Sequence, residues 1–375
     1  MQRIGSINSH KSGGNKRRFT FSKTLLFLWL LLVTAHVGAQ SSSYPMIVED
    51  GLGREVKIAS RPERIVLAGK ATLITANAFY LFNDYRDNVV AIGKTNQGLG
   101  NFLPYLDENF DDVAKLAHEV GPEQIIAHRP DLVIIKDFMY SRLGEPLEKL
   151  GVPVFTLSLE TAEAYQDEII QLGRALNREG RAEEIRRIYS QRLQQVDQRL
   201  ASLPENRRPS VLLLYYSNRG GDRAFNIAPA DWMQTYQVEQ AGGRAIWKES
   251  NLGKGWKTVN FEQIAAWDPD YICITSFNTP TSDFFEEILS GPQWSMLRAT
   301  REGRVLEFPA DFYSWAQPDV RWILGIEWLA KVLHPELFSD FSMDSIVESF
   351  YQEMYNLDGG TYDSVVKPRL EGILE

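Results

Sequence analysis

Apolar residues fall along this chain in two alternating patterns. Short unbroken runs such as Arg64-Ile65-Val66-Leu67, Leu132-Val133-Ile134-Ile135, Val211-Leu212-Leu213-Leu214-Tyr215 and Tyr271-Ile272-Cys273-Ile274-Thr275 predict strands buried on both faces. A strand with one wet face would alternate apolar with polar residues; a continuous run suits the middle of a parallel sheet. Val152–Leu157 and Arg304–Phe308 read as further strands. Between the runs the spacing becomes helical. Ile169, Leu172 and Leu176 share one face of a helix expected over Glu160–Asn177, and Gly180 marks a break. Ile185, Ile188, Leu193 and Val196 then predict a helix over Arg181–Leu203, stopped by Pro204. At 1.5 Å per residue that helix would reach about 35 Å, a stiff strut rather than a flexible linker. The apolar, aromatic-striped Arg321–Leu333 reads as a core helix, and residues 336–375 as a helical tail.

The strand runs belong to an internal repeat. Glu123-Gln124-Ile125-Ile126-Ala127-His128-Arg129-Pro130-Asp131-Leu132-Val133-Ile134-Ile135-Lys136-Asp137-Phe138 matches residues 262–277 at a constant offset of 139, with eight of sixteen positions identical. Each copy reads as a short helix, a Pro-Asp corner and a buried strand, with another strand before and after it. The fold expected is therefore α/β: two Rossmann-like lobes with parallel sheets, joined by a long rigid helix, with the ligand cleft between the lobes. The boundaries are an N-terminal lobe over 44–160, a helical linker over 161–204, a C-terminal lobe over 208–335 and the tail over 336–375.

Charge and composition narrow the function. Residues 1–39 carry six basic side chains and no acidic one, followed by the apolar run Leu25–Val33 and the small residues Val37-Gly38-Ala39. This is the pattern of a cleaved secretory signal peptide, and the run is half of the ~20 residues that a membrane span needs. Without that leader the chain has 34 basic against 49 acidic residues, a net −15. An acidic body lacks the clustered cations that nucleic acid requires, so nucleic acid is not an expected partner. One cysteine, Cys273, allows no internal disulfide, and His118, His128 and His334 are the only histidines past residue 39. No metal site built on imidazole or thiolate is expected, and no cofactor. His-Glu-x-x-His and Gly-x-Ser-x-Gly are both missing from the sequence, and no nucleophile–base pair stands out by spacing. Asp137 and Asp311 could face each other as acid and base, but binding without chemistry is the simpler account.

Ligands of open parallel sheets bind beyond the carboxyl ends of the strands, so the post-strand loops hold the candidates. These are Lys70, Asn96, Asp137 and Phe138 in the N-terminal lobe, and Tyr216, Arg219, Arg223, Trp256, Phe277, Asp311 and Trp315 in the C-terminal lobe. Aromatic rings interleaved with Arg and Lys suit a flat anionic ligand through stacking, cation–π contact and charge-assisted hydrogen bonds.

The layout resembles the periplasmic solute-binding proteins of iron-siderophore and cobalamin ABC importers. The resemblance rests on Arg61-Pro62-Glu63-Arg64-Ile65-Val66, both Pro-Asp repeats, Gly291-Pro292-Gln293-Trp294 with Gly303-Arg304-Val305, and Trp328-Leu329-Ala330-Lys331 with His334-Pro335-Glu336. It implies a monomeric, non-enzymatic protein exported to the periplasm. Such a protein would deliver a ferric siderophore or related metal chelate, or haem or cobalamin, to an ABC permease in the inner membrane. It further implies that a surface glutamate of each lobe docks to permease arginines, with Glu262 matching the C-lobe position. The N-lobe stretch Ala71-Thr72-Leu73-Ile74 lacks the glutamate that family members often carry there. Two alternatives share the fold: a periplasmic metal or haem chaperone or sensor domain, and a chelatase-like enzyme.

Overall fold

A computed structural model describes residues 44–94, 98–218 and 223–372, so the leader expected over 1–39 lies outside the described residues. A hairpin of β1 (Met46–Glu49) and β2 (Glu55–Ile58) precedes a five-stranded parallel sheet. Its strands are β3 (Ile65–Ala68), β4 (Val89–Gly93), β5 (Ala114–Leu116), β6 (Leu132–Lys136) and β7 (Val154–Leu157), in the order β5-β4-β3-β6-β7. The unbroken runs sit at its centre: every residue of β3 and β6 is buried, as a parallel sheet covered on both faces demands. Helix α1 (Thr72–Phe79) follows β3, and α2 (Pro122–Ile126) precedes β6.

Two helices lead out of this lobe, α3 (Ala162–Ala175) and α4 (Glu179–Leu200). Thr161 caps α3 by accepting the amide of Ala164. The break between them falls at Asn177, not at Gly180. Asn177 takes a left-handed φ of +53°, which a short polar side chain tolerates, and Gly180 is already inside α4. The strut is packed at both ends. Arg181 donates to the Leu81 carbonyl in the N-terminal lobe, while Arg199 donates to the Leu337 carbonyl beyond the C-terminal lobe. Midway, Tyr189 stacks on Trp322 with centroids 4.8 Å apart.

The second sheet holds β8 (Ser210–Ser217), β9 (Ala224–Ile227), β10 (Arg244–Ala245), β11 (Lys257–Val259), β12 (Tyr271–Thr275) and β13 (Val305–Glu307). Its order is β11-β9-β8-β12-β13, with β10 beside β8. This sheet is mixed, which corrects the expectation of two parallel sheets. Six residues separate Ser217 from Ala224, enough for a hairpin but short of the dozen or so that a parallel crossover needs, so β9 runs antiparallel to β8. Helices α5 (Met233–Gln240), α6 (Phe261–Trp267) and α7 (Trp322–Leu333) belong to this half. The tail forms α8 (Met343–Tyr355), whose Phe350, Tyr351, Met354 and Tyr355 are buried against both halves of the molecule.

The halves are stitched at the cleft as well as along the strut. The Gly98 amide donates to the Phe277 carbonyl at 2.8 Å, and the Leu99 amide to the Phe312 carbonyl at 2.9 Å. Gly98 has a φ of +89°, and a Cβ there would stand 2.6 Å from the Tyr313 ring, so only glycine fits this crossing. Asn77 Nδ2 donates to Asp319 Oδ2 at 2.6 Å across the same boundary. Among the described residues no helix is long and apolar enough to cross a membrane.

Candidate functional site

The repeat converges on the cleft. Phe138 follows β6 and Phe277 follows β12 at the same place in the two copies, and both line one cavity between the lobes. The cavity measures about 150 Å³. Ala71, Ile74 and Lys136 complete its N-lobe wall; Trp232, Gln234, Trp256, Gln317 and Pro318 form the opposite wall, and Glu160 stands at the crossing between them. Aromatic contacts hold the C-lobe wall in shape. Tyr215 stacks on Phe277 with centroids 4.3 Å apart, Trp256 leans on both, and Trp232 meets Trp256 edge-on at 5.6 Å.

Polar groups are few and specific. Lys136 closes a buried strand with only 1% of its side chain exposed; its ammonium donates to the Ser158 carbonyl and to Glu160 Oε1, the latter at 2.8 Å. Gln234 Nε2 donates to the Ala316 carbonyl at 2.7 Å, while Gln234 Oε1 and Gln317 Oε1 are buried and find no partner among the described residues. Buried acceptors of that kind leave hydrogen-bonding capacity for a bound molecule. Behind Lys136, the Glu168 carboxylate accepts the amides of Ser158 and Leu159. Burial pushes its carboxyl up to about 7, against those two hydrogen bonds. Leu159, fully buried, is held there at a φ of +59°.

Three of the residues expected at the site thus meet at one cavity: Phe138, Trp256 and Phe277. Others do not. Lys70 is exposed and pairs with Glu119 at 3.2 Å, and Asp137 folds back to accept its neighbour Phe138's amide. Tyr216 points away from the cleft because consecutive residues of β8 face opposite sides of the sheet; Tyr215 takes the cleft side instead. Tyr216 packs on Phe284 and lines a separate hollow of about 650 Å³ with Arg223, which pairs at the surface with Glu287 at 2.6 Å.

Asp311 and Trp315 are buried and structural rather than ligand-facing. Asp311 Oδ1 meets Arg321 at 2.7 Å, and Oδ2 accepts the Trp315 indole N–H and the Tyr351 hydroxyl. A carboxylate at zero side-chain exposure is held only by such compensation, and the loop after β13 turns inward to provide it. Asn96 and Arg219 lie outside the described residues. Tyr215, Lys136, Glu160, Trp232, Gln234 and Gln317 escaped the sequence reading. Lys136 carried a signal, a lone cation ending an apolar run, and Tyr215 could have been found by counting strand alternation. Glu160 and the two glutamines had none.

Glu262 is exposed in the first turn of α6, whose N-terminus Asn260 caps. The offset of 139 pairs it with Glu123, exposed in the first turn of α2. Among the described residues no three His, Cys, Asp or Glu side chains come together as a metal site.

Two α/β lobes bridged by a helix around an inter-lobe cavity are the architecture of bilobal solute-binding proteins. Residues 86–312 match the periplasmic binding protein family, and the chain belongs to it. Over 333 residues it is 24% identical to the molybdate-binding protein MolA of Haemophilus influenzae, covering 82% of this chain and 90% of that one. The structure of MolA bound to molybdate superposes with a TM-score of 0.66 at 21% identity, over 84% of this chain and 98% of that one. Helicobacter pylori CeuE with Ni(II) bound gives 0.65 at 17% identity, over 86% and 99%. A TroA-like periplasmic binding protein, FepB, from Veillonella parvula gives 0.64 at 20% identity, over 82% and 96%. At these identities the structures share the fold, and the solutes in their names differ.

Proposed function

We propose that this chain is the exported, non-enzymatic solute receptor of an ABC importer, and that its solute is a metal carried as an organic chelate, foremost a ferric siderophore. The observation that supports this best is the cavity itself, walled by Phe138, Trp256 and Phe277 with one buried cation, Lys136, in its side. A volume of about 150 Å³ matches a single benzene-sized ring. One aryl arm of a chelate fits there by stacking, with the remainder in the open cleft. Glu123 and Glu262, one per lobe on equivalent helices, are the proposed contacts to the permease.

A second reading has its own support: the small volume also suits a tetrahedral oxyanion, and one relative binds molybdate. Titration of tryptophan fluorescence with a ferric tris-catecholate, with molybdate and with free Fe²⁺ or Ni²⁺ separates the cases. The chelate is expected to quench strongly, and Trp256→Ala to weaken its binding by about 1–3 kcal/mol through loss of a stacking platform. Molybdate binding with silent chelates selects the second reading. Tight one-to-one binding of a free ion, with chelate and molybdate inert, sinks both.

A further inference from the structure

Lys136 and Glu160 are the only charged side chains lining the cavity among the described residues, and they neutralise each other. The two are not equivalent. Lys136 is locked: its side chain is 1% exposed and its ammonium is also held by the Ser158 carbonyl. Glu160 is anchored by its backbone, whose carbonyl accepts the amide of Met233 at the start of α5 at 2.9 Å. Its side chain is 27% exposed, and Lys136 is its only side-chain partner among the described residues. The backbone leading to Glu160 is tightly specified by the left-handed Leu159 and by the Glu168 carboxylate on the Ser158 and Leu159 amides. Backbone held in a sparsely populated conformation marks a position determined by its surroundings. In the other copy of the repeat, the place of Lys136 is taken by Thr275, a neutral residue bonded to Ser314. The ion pair is therefore peculiar to the N-lobe wall.

We propose that Glu160 is a built-in stand-in for the ligand's anionic group: its carboxylate occupies Lys136 in the empty protein, and an incoming anion displaces it toward solvent. This rests on the reading of the inter-lobe cavity as the ligand site. Glu160 is then a specificity-determining residue. It raises the threshold for weak anions and leaves strong or multiply charged ones as the preferred solutes. A bare cation gains nothing from the exchange, because the locked ammonium remains beside it.

The test is calorimetric titration of molybdate and of a ferric tris-catecholate into wild type, Glu160→Gln, Glu160→Asp, Lys136→Met and Trp256→Ala, with melting curves to verify folding. Removing a competing charge-assisted hydrogen bond is expected to tighten anion binding in Glu160→Gln by about tenfold or more. Glu160→Asp, which withdraws the carboxylate by one methylene, should show a smaller gain, and Lys136→Met should lose anion binding. A purely structural ion pair predicts the reverse for Glu160→Gln, a less stable protein with unchanged or weaker binding. If Trp256→Ala weakens binding while Glu160→Gln and Glu160→Asp are no tighter than wild type, the stand-in role is overturned and the cavity reading survives. If wild type binds a probe and neither Trp256→Ala nor Lys136→Met alters it, the cavity reading falls and the inference with it. Failure of Glu160→Gln to take up any anion that wild type also refuses counts against the stand-in, since Lys136 would then lack its competing carboxylate and still bind no anion.

Discussion

Replacing Asp311 separates the role assigned to it by position after a strand from the role given by its contacts. Its carboxylate is fully buried, pairs with Arg321 at 2.7 Å, and accepts the Trp315 indole at 3.0 Å and the Tyr351 hydroxyl at 2.7 Å. Arg321 is buried too and has a second partner in Asp319 at 2.7 Å, which Asn77 of the N-terminal lobe also contacts. Asp311→Ala leaves the guanidinium half-compensated, with one nitrogen, Nη2, already lacking a partner among the described residues. It also strips the acceptor from the indole and the hydroxyl. Breaking one partner out of a buried ion pair costs about 3–5 kcal/mol. At about 2.1 cal/mol/K per residue, a folded body of roughly 330 residues unfolds with an entropy near 0.7 kcal/mol/K, so about 4 kcal/mol lowers Tm by about 6 °C.

Circular dichroism melting of Asp311→Ala and Asp311→Asn measures that loss, and fluorescence titration well below Tm measures affinity. The amide keeps the shape and one acceptor, so Asp311→Asn should fall less. Both variants should bind ligand within a factor of a few of wild type. A variant that melts with wild type yet loses about tenfold or more in affinity would refute the structural role and return Asp311 to the ligand.

Two further outcomes follow from the site and its rim. Glu168 is held at about 7 by burial, above the 4.5 of a free carboxyl, so its protonated form is the one the fold favours. The stability this contributes is present below pH 4.5 and lost as pH rises through 7, a change of about 3 kcal/mol; Tm against pH should be flatter in Glu168→Gln, and a parallel profile would refute the assignment. Glu123→Lys with Glu262→Lys should leave solute affinity intact but cut uptake in cells, because reversed rim charges repel a cationic partner surface; normal uptake by the double variant removes both from docking.

What was legible in the chain followed from repetition and from runs. The 139-residue offset put Phe138 and Phe277 at corresponding strand ends, and a bilobal fold brings such ends face to face, so both were found without any knowledge of contacts. Runs of apolar residues located β3, β6, β8 and β12 for the same reason: burial on both faces leaves no room for a polar alternation. The errors arose where position along the chain does not determine direction in space. Tyr215 and Tyr216 are neighbours of identical chemistry, and only the pleat sends one into the cleft and the other to the far side. Asp311 and Trp315 follow a strand as a ligand loop would, but their loop turns back into the protein, where Arg321 and Tyr351 from later in the chain complete it. Lys136 was hidden by the reverse effect, a charge that ends a buried run and is supported by Ser158 and Glu160, more than twenty residues away. For Asp311 and for Lys136 the deciding partners lie further along the chain. Phe138, Trp256 and Phe277 were therefore readable from one segment at a time, whereas the polar groups of the cavity depend on contacts between segments far apart in the chain.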